Sequence, residues 1–244
     1  MNQKIRNLLK WMPVSWKAAL EYGFDRSLGT EFGGPFNGQK FRQQIFKDLN
    51  REAVFKAIVE TGTFRGVTTA FMAENASIPI YSVESEPRFF HYATWNLNRF
   101  KNVRVFNADS REFLAVLVKD DSVPKSDVFV YLDAHWNEDL PLFEEVKLIG
   151  ENWDDVVIMI DDFEVPDDGD YKFDDYGSGK KLSLDYLGDE LLSNWAVFFP
   201  SGRGADDSGI KRGCVVLASK SLQSKVDGIP SLRSYGRSAE TTRV

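Results

Sequence analysis

Residues 60–66 have the sequence Glu60-Thr61-Gly62-Thr63-Phe64-Arg65-Gly66 and stand between a short apolar run and an amphipathic stretch. This junction predicts a tight turn from a strand into a helix, because glycine allows the backbone conformations that such turns need. Dinucleotide-binding turns carry another glycine two residues after the first, where the pyrophosphate approaches the backbone. Phe64 occupies that position here, which argues against NAD or FAD and favours a cofactor without a pyrophosphate.

From residue 53 onwards, the sequence alternates short apolar runs with longer amphipathic stretches. This alternation predicts a mostly parallel sheet with helices on both faces. The predicted strands are 55–60, 78–84, 103–107, 128–132, 156–160, 195–199 and 214–218, and the predicted helices are 68–75, 86–100, 111–119, 140–152 and 183–193. The last two strands are joined too closely for a parallel return. We therefore expect an α/β, doubly wound (Rossmann-like) fold: a seven-stranded, mostly parallel sheet with a C-terminal antiparallel strand.

The composition limits the classes of protein to which the chain can belong. The chain has 244 residues, of which 43% are hydrophobic, enough for a core of ordinary size. A net charge of −7 argues against nucleic acid as a partner, because affinity for phosphate backbones comes largely from Lys and Arg. The single cysteine excludes an internal disulfide and fits a cytoplasmic location. No apolar run is long enough for a transmembrane helix.

We expect three parts along the chain: a helical arm or cap over residues 1–50, the α/β domain over 51–222, and a flexible tail over 223–244 that is rich in Ser, Arg and Gly. The N-terminus mixes the basic residues Lys4, Arg6, Lys10 and Lys17 with apolar ones. A basic amphipathic helix lies on anionic membranes in some proteins and serves as a packing or dimer arm in others. Both interpretations stay open, as does a homo-oligomeric state.

Acidic residues follow the second and third predicted strands. Glu84 ends the second strand, where a carboxylate accepts hydrogen bonds from ribose hydroxyls in nucleotide-binding folds. Asp109-Ser110 follows the third strand, where a carboxylate and a backbone amide suit an adenine edge. Each acid alone is also explained as a solvated strand end or a helix cap. Their order and spacing after the glycine turn favour a nucleoside-containing ligand.

The turn, then Glu84, then Asp109, resembles the successive motifs of class I S-adenosylmethionine-dependent methyltransferases over about residues 53–220. The resemblance implies S-adenosyl-L-methionine as cofactor, with Gly62 and Gly66 near its methionine part, Glu84 at the ribose and Asp109 with Ser110 at the adenine. By the same resemblance, further candidate cofactor contacts are Glu60, Thr63, Phe64, Arg65 and Asp133. Arg65 either binds the methionine carboxylate or points away.

Acids also follow the fourth and fifth strands, Asp133 after one and Asp161-Asp162 after the other. Carboxylates brought together repel unless a cation or a proton offsets them, and oxygen ligands suit Mg²⁺, Mn²⁺ or Ca²⁺. The arrangement is similar to that of metal-dependent O-methyltransferases of the catechol and macrocin types. This similarity implies a Mg²⁺ ion that orients a substrate hydroxyl. Alternatively, the three acids cap the following helices without a metal.

His135 lies two residues after Asp133, and we predict the two as the catalytic pair. An imidazole there can take the hydroxyl proton, ligate the metal or cap a helix, and these roles stay open. The other histidine, His91, is expected in packing or at the surface. Residues 32–39 are rich in glycine and aromatic residues, which indicates either a lid over a pocket or an ordinary connecting loop. Arg42, which follows them, is a candidate contact for an anionic group. Trp136 is a candidate stacking surface or a buried core residue, and residues 163–176 are candidates for a pocket wall or a mobile flap.

The first hypothesis is a magnesium-assisted O-methyltransferase that acts on a small hydroxylated metabolite, such as a sugar or a natural-product intermediate. A second is a non-catalytic protein that binds the cofactor or serves as a scaffold with the same fold. A third is a metal-dependent hydroxylase or hydrolase that uses the acids alone, since a fold does not fix its chemistry.

Overall fold

A single sheet organises the computed structural model, which describes residues 12–24, 32–135 and 139–236. Within these ranges its eight strands lie in the order β3-β2-β1-β4-β5-β7-β6-β8. Their bounds are β1 Ala57–Thr61, β2 Ile80–Glu84, β3 Val103–Asn107, β4 Val128–Leu132, β5 Val156–Ile160, β6 Trp195–Pro200, β7 Val215–Ser219 and β8 Leu232–Ser234. Strands β1 to β5 pair parallel, whereas β7 is antiparallel to both β5 and β6. The predicted doubly wound fold is confirmed.

The last strand corrects the prediction for the C-terminus. Residues 223–234 were expected in a flexible tail, yet Gln223–Asp227 is a short helix, α8, and β8 pairs antiparallel with β6. Val226, Ile229 and Leu232 are buried against the sheet, which explains why this segment is ordered. The sheet therefore has eight strands among the described residues instead of seven. Residues 237–244 of the predicted tail lie outside the described residues.

Helices cover both faces of the sheet. They are α1 Val14–Phe24, α2 Lys40–Ala53, α3 Val67–Asn75, α4 Pro87–Leu97, α5 Ser110–Lys119, α6 Leu142–Asn152 and α7 Leu184–Leu192. Helices α5, α6 and α7 bury their apolar residues against one face, and α2, α3 and α8 against the other. Strands β1, β2, β4 and β5 are buried along their whole length, as the unbroken apolar runs of β4 and β5 predict for those two.

The predicted N-terminal arm divides into two parts with different packing. Helix α2 belongs to the core, since Ile45, Phe46 and Leu49 are fully buried. Helix α1 packs on α4, where the rings of Tyr22 and Tyr92 meet edge to face at 5.4 Å. The basic residues at positions 4, 6 and 10 lie outside the described residues. Among the residues that are described, no helix has the length and apolarity to cross a membrane.

A distant loop caps the start of α2. Asp207 accepts the backbone N–H of Phe41 at 3.2 Å and the Gln39 amide at 2.9 Å, while Ser208 Oγ accepts the N–H of Lys40 at 2.9 Å. Free N–H groups at a helix start need such acceptors, and α2 has no cap from its own Gln39 side chain. These bonds fix residues 32–40 beside the carboxyl ends of the strands.

Candidate functional site

The turn after β1 has the conformation that its glycines predict. Gly62 has φ 86° and Gly66 has φ 75°, both in the left-handed region. A Cβ atom on Gly62 would lie 2.1 Å from the carbonyl oxygen of Asp133, so only glycine lets the ends of β1 and β4 approach this closely. The turn and Asp133 therefore belong to one edge of the sheet.

Glu60 is the buried acid at the end of β1. The hydroxyls of Thr69 and Ser82 both donate to its Oε2. Its Oε1 is buried and has no hydrogen-bond partner among the described residues. Burial raises the pKa of Glu60 to about 7. The Thr63 hydroxyl donates to the Ser82 hydroxyl, whose own proton goes to Glu60, so the start of the turn is tied to β2.

Glu84 joins the turn to the neighbouring strand. Its Oε2 accepts the backbone N–H of Phe64 at 2.7 Å, and its Oε1 accepts that of Glu86 at 2.8 Å. Burial raises the pKa of Glu84 despite these two hydrogen bonds. Each carboxylate oxygen has a second lone pair, so the group keeps acceptor capacity for a ligand.

Phe64 and Arg65 are directed towards α4. The Phe64 ring lies 4.4 Å from that of Phe89 and 5.8 Å from that of Phe32. The Arg65 guanidinium lies over the Phe64 ring at 4.4 Å and near the rings of Phe89 and Tyr92. This packing accounts for the Arg65 side chain, and its predicted contact with the cofactor stays a prediction.

Asp109 caps α5 and also binds an arginine. It accepts the backbone N–H of Arg111 at 2.9 Å, and its side chain forms an ion pair with the guanidinium of Arg111, which also reaches Asp139. Arg111 is the main reason that the pKa of Asp109 lies below its usual value. Ser110 is buried next to Glu145 of α6, whose pKa burial raises to about 7. A role of Asp109 and Ser110 at an adenine stays a prediction.

Asp161 is the centre of a buried network in which protein groups occupy both of its oxygens. This network removes Asp161 from the predicted metal site of Asp133, Asp161 and Asp162. Its Oδ1 forms an ion pair with Arg42, and its Oδ2 accepts from Tyr131 Oη and from Asn37 Nδ2. Arg42 also donates to the backbone carbonyls of Arg212 and Gly213. Asp161 and Arg42 are both 1% exposed. Arg42 thus binds a protein carboxylate in place of the anionic ligand we expected, and Asp161 has no free oxygen for a metal.

The other two acids of the predicted metal site, Asp133 and Asp162, lie close to His135. Ligand atoms of Asp133, His135 and Asp162 all lie within 4.8 Å of one another. His135 Nε2 is 3.9 Å from Asp133 Oδ1 and 4.0 Å from Asp162 Oδ2, and it has no hydrogen-bond partner among the described residues. Burial lowers the pKa of His135 to about 4, so the imidazole is neutral at neutral pH. Partial burial and the neighbouring carboxylates raise the pKa of Asp133.

The segment after β5 brings charged and polar side chains next to this group. Arg212 forms ion pairs with Asp162 and with Asp174. Tyr176 donates to Asp174 at 2.5 Å, and burial and the nearby carboxylates raise the pKa of Tyr176 to about 12. The role of residues 163–176 as a pocket wall or a flap stays a prediction, and Phe163 belongs to the core. The other predicted wall residue, Trp136, lies outside the described residues.

The segment at 32–39 covers the same edge. Phe36 is fully buried with its N–H bonded to Thr68 Oγ1 at 3.1 Å, and Asn37 reaches Asp161. The segment lies where a lid would lie, but its bonds to Thr68, Asp161 and the 207–208 loop hold it in place. His91 is half-buried beside Trp95, in the packing role we expected.

Sequence reasoning missed Tyr131, Asp174, Arg212 and Glu145. Tyr131 lies inside an apolar strand and Glu145 on an amphipathic helix, so neither differs from its surroundings in the sequence. Arg212, next to Gly213 at the start of the last apolar run, carried a usable signal, because a charged residue there faces the same edge of the sheet.

Comparisons with known proteins agree with the fold. No protein-family model matches the chain, and no curated protein matches it in sequence. The O-methyltransferase from Bacillus cereus, solved in complex with S-adenosylhomocysteine (SAH), is similar at a TM-score of 0.55 and 14% identity, over 74% of this chain and 81% of that one. The O-methyltransferase TomG from Streptomyces achromogenes, solved with S-adenosylmethionine (SAM), is similar at 0.54 and 16% identity, over 85% and 90%. The chain thus has the fold of the class I SAM-dependent O-methyltransferases.

Proposed function

We propose that the chain is a SAM-dependent methyltransferase that methylates a hydroxyl of a small metabolite with the help of a divalent cation. The observation that carries the proposal is the convergence of the predicted motifs. Strands β3, β2, β1 and β4 are parallel neighbours in register, so Asp109, Glu84, the glycine turn and Asp133 follow their carboxyl ends along one edge. Ligands of doubly wound sheets bind at that edge, where the strand order reverses.

The residues at this edge suit the cofactor. Glu60 Oε1 is a buried acceptor that no described residue satisfies, and the ammonium group of the methionine part would satisfy it. Glu84 retains lone pairs for two ribose hydroxyls while it holds the turn through Phe64. The order Glu60, Glu84, Asp109 along the edge corresponds to methionine, ribose and adenine. Phe64 packs on Phe89 and Phe32, which supports a turn shaped for a cofactor without a pyrophosphate.

The residues beside β4 and β5 suit a divalent cation. Among the described residues, the carboxylates of Asp133, Asp161, Asp162 and Asp174 are balanced by the guanidinium groups of Arg42 and Arg212 only. Two negative charges are therefore uncompensated when all four acids are ionised. A divalent ion between Asp133, His135 and Asp162 would offset them, lower the pKa of the acceptor hydroxyl and orient its oxygen.

The chain's own groups would complete the transfer. Of the predicted catalytic pair, Asp133 would offer a carboxylate acceptor for the hydroxyl proton, and His135 Nε2 would offer one only in place of a bond to the cation. Tyr176 and the Arg212–Asp174 pair form a polar wall next to them, which suits an acceptor with several hydroxyls. The 32–39 segment, bonded to Thr68 and Asp161, would limit the access of water to a cofactor at this edge.

The test uses the full chain with methyl-labelled SAM and a panel of sugars and phenolic natural products. We expect a product heavier by one methyl group and a loss of turnover after chelation. A product that gains one oxygen or one water would establish the hydroxylase or hydrolase instead. Tight binding of SAH in calorimetry with no transfer to any acceptor would favour the non-catalytic binding protein, and no binding of SAH or SAM would contradict the proposal.

A further inference from the structure

We propose that the cation at Asp133, His135 and Asp162 is a first-row transition-metal ion that His135 Nε2 ligates, and that Mg²⁺ is a poor occupant of this site. The inference rests on the proposed function for the presence of a cation and goes beyond it in the identity of the ion and the role of His135. Three observations support it.

The first observation is the state of His135. Its side chain is 3% exposed, and its Nε2 atom is buried without a hydrogen-bond partner among the described residues. A buried nitrogen left unsatisfied costs free energy, and such groups in native proteins call for an explanation. Nε2 faces the two carboxylate oxygens at 3.9 and 4.0 Å, too far for hydrogen bonds but suitable for ligands of a shared ion.

The second observation is how Asp162 is oriented. Arg212 Nε donates to its Oδ1 at 2.8 Å, which leaves Oδ2 on the side of His135 Nε2. A metal-binding carboxylate is commonly fixed by a hydrogen bond from outside the site, and Arg212 supplies it here. Asp174 holds Arg212 from its other end. The ligand oxygen is thus positioned by two further charged residues.

The third observation is the removal of Asp161 from the site. Its ion pair with Arg42 and its bonds from Tyr131 and Asn37 occupy both oxygens. An all-carboxylate set of Asp133, Asp161 and Asp162 would suit Mg²⁺, which prefers oxygen ligands. The set that the fold brings together has a nitrogen in its place. Imidazole nitrogen favours Fe²⁺, Co²⁺, Ni²⁺ or Zn²⁺ over Mg²⁺.

This assignment changes the role of His135. A lone pair that coordinates an ion cannot accept a proton at the same time, so His135 is a ligand and not the general base. The hydroxyl proton then goes to a carboxylate of the site or to solvent.

The most direct test observes His135 in the unmodified protein. The chain has two histidines, so ring-¹⁵N-histidine spectra of the full chain contain only two imidazoles, His91 and His135. We expect Zn²⁺ at one equivalent to shift the Nε2 signal of His135 and to leave that of His91 in place. Mg²⁺ in large excess should leave both unshifted. An unshifted His135 with Zn²⁺ bound at one equivalent by calorimetry would overturn the proposal.

A variant pair measures the selectivity. His135→Asn replaces the nitrogen with an amide oxygen of similar reach, and His91→Asn is the matched control on α4. We expect His135→Asn to lower the ratio of Co²⁺ to Mg²⁺ affinity by at least about tenfold, since even outer partners of metal ligands are worth about 10- to 100-fold. His91→Asn should leave the ratio unchanged. Wild-type protein that binds Mg²⁺ as tightly as Co²⁺ would contradict the inference.

The outcomes separate this inference from the proposed function. Coordination by His135 without methyl transfer to any acceptor would leave the inference standing and remove the proposed function. Methyl transfer supported by Mg²⁺ alone, with an unshifted His135 signal, would do the reverse.

Discussion

Asp161 and Asp162 are adjacent in the sequence and have opposite environments. Asp161 is fully buried, and Arg42, Tyr131 and Asn37 occupy its oxygens. Asp162 is partly exposed and uses one oxygen for Arg212, while the other faces His135. Asp162 has φ 52°, a left-handed conformation that ends the strand and turns its side chain to another side. One acid fixes the fold around the site, and the other is left for a ligand.

The comparison teaches that open and closed polar groups are better guides to function than acidity alone. The closed network joins α2 to the ends of β4 and β5 and holds the 32–39 segment over the edge. The open group has a buried nitrogen without a hydrogen-bond partner among the described residues, and carboxylate oxygens within 4.8 Å of it. The predictions below test this division, beginning with the largest expected effect.

The largest effect is expected when the closed network is broken. Asp161→Asn leaves the Arg42 guanidinium buried without a counter-charge, so we expect the free energy of unfolding to fall by about 3–5 kcal/mol. Asp162→Asn removes a partly exposed partner of Arg212 and should cost about 1 kcal/mol or less. Urea unfolding in metal-free buffer measures both. Equal losses for the two variants would contradict the division.

Glu145 extends the comparison to a buried acid that forms no ion pair with a described residue. Its pKa of about 7 lies above the unfolded value, so the native state binds more protons between about pH 4.5 and 7. Its contribution to stability is therefore present in acid and lost as the pH rises towards 7, by about 3 kcal/mol. Glu145→Gln should remove this dependence. We expect the variant to gain stability relative to wild type between pH 5 and pH 8 in urea unfolding; a constant difference would show that the acid stays ionised.

Adding a divalent cation tests the group of Asp133, His135 and Asp162. Mn²⁺ at about 100 times its dissociation constant should raise the free energy of unfolding by about 2.7 kcal/mol, because it binds only the folded chain. Asp162→Asn should abolish this gain. Asp175→Asn, an exposed acid of the same loop, should retain it. A gain of the same size in all three proteins would indicate binding elsewhere.

The smallest expected effect concerns Glu84. This acid accepts two backbone N–H groups and keeps lone pairs for a ligand. Glu84→Ala should weaken SAH binding by about 1–3 kcal/mol through the loss of ribose hydrogen bonds. Glu86→Ala, which removes an exposed cap of α4, is the control and should leave the affinity unchanged. Calorimetry with SAH checks both; an unaltered dissociation constant in Glu84→Ala would remove the ribose assignment.

The strands could be predicted from the sequence because of their burial. Strands β4 and β5 begin and end where their apolar runs do, since both of their faces are buried. β8 could not be predicted in this way. It has three residues, lies at an edge and contains Arg233 and Ser234, so it lacks the apolar run that marks the central strands.

The position of the site in the fold could be predicted from the sequence, but the hydrogen bonds and ion pairs of its side chains could not. The rule that parallel strands end at one edge brings Glu84, Asp109 and Asp133 together. The choice between Asp161 and Asp162 depends on Arg42, 119 positions away in the chain, and on the backbone conformation of one residue. Such a choice follows from tertiary packing, which no local pattern in the sequence contains.

A crystal structure of the chain with SAH and Co²⁺ tests the central claim most directly. We predict density for SAH along the ends of β1, β2 and β3, with its ribose at Glu84, and an anomalous peak between Asp133, His135 and Asp162. Asp161 should remain paired with Arg42. SAH bound elsewhere, or an edge that stays empty at saturating SAH, would contradict the claim.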